Sequence, residues 1–113
     1  MIIDDVMNAL IASVAPFAMR VYRGYPPSFA IYPVVGVYIL NESDFVTGDG
    51  TGLQVFKDFI NIDVWTKDQI DDIKTKVISS LYSLSGFIRQ NAFREISEGE
   101  GIIHLTFEYE IIA

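Results

Sequence analysis

The last stretch of the chain alternates without a break. Ile103, Leu105, Phe107, Tyr109 and Ile111 hold one parity, while His104, Thr106, Glu108 and Glu110 hold the other. A period of two belongs to a β-strand, so this segment should lie in a sheet with one buried face and one wetter face. Such a sheet needs a layer over its apolar side. Two helical stripes are available for it. Ile3, Val6, Met7, Leu10, Ile11 and Val14 recur at helical spacing within residues 3–15. Asp4 and Asp5 suit the positive end of that helix, and Pro16 is its stop. Ile70, Ile73, Val77, Ile78, Leu81 and Leu84 make the second stripe. Ahead of it, Thr66-Lys67-Asp68-Gln69 reads as a capping box in which Thr66 caps and Gln69 reaches back. Gly86 is the natural exit.

The remaining strands are read from composition and parity. Met19 to Tyr22 is a short strand, followed by a loop at Gly24, Pro26, Pro27 and Ser28. Val34 to Leu40 is β-branched and aromatic, and reads as a strand opened by Pro33. Asn41 to Gly52 is polar and glycine-rich, and reads as a long mobile loop. In a third strand over 54–65, Phe56, Ile60, Ile62 and Val64 should face the core. Val55, Lys57, Phe59, Asn61, Asp63 and Trp65 then face away. Phe87–Ile96 and Ile102–Ile112 should pair as a hairpin around Ser97–Gly101. The expected fold is α+β: helix, three strands, helix, two strands, with both helices on one face of a mainly antiparallel sheet.

Length and charge then restrict function. With 113 residues, the chain should form a single domain over residues 1–113 and bury roughly two thirds of its unfolded surface. Half the residues are hydrophobic, which argues against disorder. Cysteine is absent, so disulfides, thiol chemistry and Cys-based zinc sites are excluded. Eight basic and 15 acidic residues give a formal charge of −7, which disfavours nucleic acid and anionic membranes as partners. The first residues carry no basic start ahead of a long apolar run, and no stretch is long enough to span a bilayer. A soluble protein made in the cytosol is expected.

Chemistry is hard to find. His104 is the single histidine. It could act as a base oriented by Asp63 or Glu108, although a surface histidine in a polar row is the simpler reading. The pairs Asp4/Asp5 and Asp71/Asp72 suit helix starts better than catalysis. Gly48-Asp49-Gly50-Thr51-Gly52 lacks the lysine and following helix of a phosphate loop, and it lacks the spaced acids of a calcium loop. It reads instead as a loop that could order on docking. No catalytic residue, cofactor or metal is expected, and the protein should not be an enzyme. Tyr25, Pro26, Pro27 and Phe29 near one loop, with Val55, Phe59 and Trp65 on the outward parity, are the candidate interface residues.

The arrangement resembles the small tail-completion (tail-terminator) proteins of long-tailed bacteriophages. An N-terminal helix leads to a tyrosine- and proline-rich loop and then to Tyr32-Pro33-Val34-Val35-Gly36-Val37-Tyr38. Asn61-Ile62-Asp63-Val64-Trp65-Thr66 looks like that family's strand end, and a helix bearing Ile78-Ser79-Ser80-Leu81 follows. A hairpin closing on His104-Leu105-Thr106-Phe107-Glu108-Tyr109 ends the chain. The resemblance implies a structural protein of the virion tail or neck, assembled in the host cytoplasm. It implies self-association as a ring, commonly a homohexamer, with the major tail tube protein and the head-tail connector as partners. Other neck or minor capsid roles (stopper, adaptor) and an acidic protein-binding module outside the virion are the alternatives. The acids are scattered among helix starts and turns, which argues against the last.

Overall fold

The structure, a computed structural model, describes residues 2–17, 19–27, 32–46, 54–84 and 87–112. Helix α1 spans Ile2–Val14 and runs into a 3-10 turn, Ala15–Phe17. Strands β1 (Arg20–Arg23), β2 (Val34–Val46) and β3 (Gln54–Thr66) follow. Helix α2 (Ile70–Leu81) and strands β4 (Phe87–Gly99) and β5 (Ile102–Ile112) complete the order, as the sequence implies. The strands form one five-stranded sheet in the order β1-β2-β3-β5-β4. All neighbours are antiparallel except β1 and β2, which are parallel.

The parity of β5 sets the core. Leu105, Phe107, Tyr109 and Ile111 are buried, and across the ladder they meet Val64, Ile62, Ile60 and Asp58 of β3. On β2, Val35 and Val37 continue the same face. The helices cover it with Ile3, Val6, Leu10 and Val14 from α1 and Ile73, Val77 and Leu81 from α2. Both helical stripes therefore turn to the sheet, except Ile11, which belongs to the α1 stripe by its spacing but is 50% exposed.

Three local expectations are corrected. Thr66 does not cap α2. It ends β3, and its hydroxyl donates to the Asp68 carbonyl at 2.7 Å. The cap position belongs to Gln69, which is left-handed at φ 57° and makes no side-chain cap bond. Strand pairing has claimed Thr66 for the sheet, so the chain needs a tight turn to enter the helix. Second, Asn41–Val46 is strand rather than loop, paired with residues 54–59 of β3 beyond a bulge at Leu40. Past the last β3–β5 pair, Lys57 with Ile112, this hairpin continues as a ribbon of two strands. A two-stranded ribbon has little to bury, so the polar Asn41–Val46 arm carries no strand signal, whereas its partner arm does read as strand. The ribbon and the opposite-pointing β4–β5 hairpin make the molecule long, 54 × 24 × 23 Å. Third, the β4–β5 turn is shorter than Ser97–Gly101. Glu100 (φ 56°) and Gly101 (φ 78°) alone form it, both left-handed as a two-residue hairpin turn requires. The expected exit at Gly86 lies outside the described residues.

Candidate functional site

The sheet face turned away from the helices is the unusual part of the molecule. It carries Val34, Gly36 and Tyr38 of β2, Phe59, Asn61, Asp63 and Trp65 of β3, and His104, Thr106, Glu108 and Glu110 of β5. Parity alone predicts a wet surface here. Instead Asn61, Asp63, Thr106 and Glu110 are all buried, Asp63 to 2% exposure.

Part of the cover comes from the segment after β1. The Gly24 amide donates to the Val37 carbonyl at 2.7 Å, which lays Gly24–Pro27 over the start of β2. Gly36 makes this possible, because a Cβ there would sit 2.6 Å from the Gly24 carbonyl oxygen and 3.1 Å from Cδ of Pro26. Tyr25 reaches across the sheet, with its ring 5.3 Å from Tyr38 and 6.5 Å from Trp65. We therefore expect Gly36→Ala to force the segment off the sheet, at a cost of about 1–3 kcal/mol. Urea unfolding followed through the emission of Trp65 should show both the lost stability and a changed native signal. An unchanged native spectrum would mean that Gly24–Pro27 does not cover Trp65.

Beneath that cover lies a connected polar cluster. Nε2 of His104 is 3.0 Å from Oδ1 of Asp63, and Nδ1 is 2.8 Å from Oε1 of Glu98. The Thr106 hydroxyl donates to the same Asp63 oxygen at 2.8 Å and lies 3.2 Å from Nε2. Trp65 stacks on the imidazole with ring centres 4.5 Å apart and planes within 16°. Asn61 Nδ2 donates to the Tyr38 hydroxyl at 3.0 Å. Burial first, and then the neighbouring Tyr25 and Asp63 side chains, push the Tyr38 phenol well above its ordinary range, so it stays protonated at neutral pH. At the far end Arg89 meets the buried Glu110 carboxylate at 3.2 Å.

His104 is thus no surface histidine in a polar row: its side chain is 17% exposed and both nitrogens face carboxylates. Of its two expected orienters, Asp63 is in place. Glu108 lies farther along β5, opposite Asn61 and Ala92. Glu98 takes the second position, and the sequence reading missed it. Its signal was the register of a two-residue turn, which sets Ile96 opposite His104 and leaves Glu98 two positions nearer the tip. Glu98, His104 and Thr106 have the connectivity of an acid–imidazole–hydroxyl triad. The proton is on the wrong bond for that chemistry. Thr106 gives its hydrogen to Asp63, and its side chain is buried rather than presented to a substrate. Among the described residues no group of three or more acids and histidines is placed to hold a metal ion. Likewise, no helix there is long and apolar enough to cross a membrane.

The candidate interface residues fall partly on this face. Tyr25 is 72% exposed, while Pro26, Pro27, Phe59 and Trp65 are half-buried around the cluster. Val55 is in β3, with its side chain outside the described part. Phe29 and the Gly48–Gly52 segment, including Asp49 and Thr51, lie outside the described residues. Tyr32, Leu40 and Ile96 add exposed apolar surface.

No protein-family model matches this sequence. No curated protein matches it either. The fold, however, is shared with solved structures. One is a chain of the virion of a native gene transfer agent particle, matched over 91% of this chain and 82% of that one, with a TM-score of 0.51 and 16% identity. Another is a crystal structure from Akkermansia muciniphila, matched over 97% of this chain and 74% of that one, with a TM-score of 0.51 and 9% identity. At these identities the likeness is one of fold.

Proposed function

We propose that this chain is a structural subunit of a phage or prophage virion, and within it a tail-completion protein that does no catalysis. It assembles as a ring at the head-proximal end of the tail tube, ends tube growth and offers a surface to the head connector. The observation that carries this reading is the fold shared, over nearly the whole chain, with a chain of a gene transfer agent virion. The surface supports it. A head-to-tail ring contact needs two different patches on one subunit. The aromatic face around Tyr25 and Trp65 supplies one candidate patch, and exposed apolar side chains there fit an interface better than a bare surface. The Thr106 proton directed at Asp63 supports the non-catalytic half of the reading.

The test is electron microscopy of particles made without this gene. Full heads beside unattached, overlong tails are the expected result. Tails of normal length beside heads that lose their DNA would move the protein to a stopper role. Normal infectious particles would remove it from the virion and favour an acidic binding module.

A further inference from the structure

We infer that His104 is a proton-operated latch tying the tip of the β4–β5 hairpin to β3. Asp63 and Glu98 approach the two ring nitrogens at 3.0 and 2.8 Å. An ionised carboxylate only accepts, so a ring bonded to both must donate from both nitrogens, and only the doubly protonated ring does so. The neutral ring has one N–H and one lone pair.

The two carboxylates are not equivalent. Asp63 is buried, and of its oxygens Oδ1 already takes the Thr106 hydroxyl as well as the ring. Leaving it short of a donor is costly. Glu98 is 41% exposed, on an edge strand where the ladder shifts register between Ser97 and Gly99. It can turn to water. The neutral ring therefore keeps its proton on Nε2 for Asp63 and points the Nδ1 lone pair at Glu98, which is repelled. Loss of one proton opens the latch on the Glu98 side alone. The other neighbours do not replace that bond. β3 contributes the stacked Trp65, β5 the Thr106 hydroxyl and Glu108, β2 the protonated Tyr38 phenol, and the Gly24–Pro27 segment contributes Tyr25. On β4, Ile96 lies opposite His104 and Arg94 opposite Thr106. The tip itself, Arg94 to Gly101, is exposed throughout, so few side-chain contacts hold it.

The experiment uses the full chain, labelled with 15N, and follows the imidazole nitrogens and the amides of residues 95–101 through one pH titration. As the ring loses its second proton, Nδ1 should take the shift of a bare ring nitrogen while Nε2 keeps its hydrogen. Over the same step, hydrogen-exchange protection at the tip, corrected for intrinsic rates, should fall about tenfold, as for one lost hydrogen bond to a charged group. Glu98→Gln is the second arm. Its amide can accept from the charged ring or donate to the neutral one, so tip protection should stay level through the titration. A proton left on Nδ1, tip protection that ignores the ring's state in the native chain, or a tenfold fall retained in Glu98→Gln would each overturn the inference.

Discussion

Truncating Phe107 to alanine should cost about 3–5 kcal/mol. Phe107 sits in mid-strand on β5, fully buried, and the ladder places it between Ile62 of β3 and Phe93 of β4. Its ring centre is 5.0 Å from that of Phe93, and Phe93 in turn lies under the ammonium of Lys74 on α2 at 4.2 Å. A cavity here touches two neighbouring strands and exposes the packing that holds α2 over β4. Small domains hold only about 5–15 kcal/mol in total, so the variant should stand at the edge of folding. Urea unfolding gives the number, with a lower midpoint at an unchanged slope. A loss below about 1 kcal/mol would mean that the neighbours collapse into the space, and that Phe107 is not the centre of this core.

His104→Ala should be the second large loss, about 2–3 kcal/mol at neutral pH. The substitution removes little apolar area. What it removes is the donor that offsets a carboxylate with almost no access to water. The figure stays below the range for a fully buried pair because the imidazole keeps some exposure and Thr106 still donates to Asp63. A double-mutant cycle separates the causes. Asp63→Ala in the His104→Ala background should restore part of the loss, since the orphaned charge has gone. Additive losses would show that His104 matters for its packing under Trp65 and not for Asp63.

The covered side of the sheet was legible in the sequence because it obeys a period. The alternation in β5 and the two helical stripes each name the residues that meet in the core, and apart from the exposed Ile11 the structure brings those residues together. The other side was legible only as a list. Asp63, Thr106 and Asn61 read as solvent-facing because part of the cover over this face is the Gly24–Pro27 segment, which has no period. The residue that seats it, Gly36, acts by having no side chain. Glu98 was hidden for a related reason. A bulge and a turn of two residues put it beside His104, and neither feature leaves a pattern in the polar run around it. The interface residues were found from their chemistry. The sequence could not say that Tyr25 and Trp65 close over a buried cluster instead of standing free.

The order of the strands also sets how the chain can reach its native state. β2–β3 and β4–β5 are each hairpins that can close from neighbouring sequence, whereas β3 and β5 meet along a seam whose residues lie far apart, 41 positions in the case of Asp63 and His104. Closing that seam costs chain entropy before its contacts form, so the two hairpins should be able to flicker into place before the sheet exists. Ile62 against Phe107 and Asp63 against Thr106 lie on opposite faces of the same joint. The core face and the polar cluster therefore share one seam: zipping β3 to β5 brings both sets of side chains together, and the helices and the Gly24–Pro27 segment then cover them.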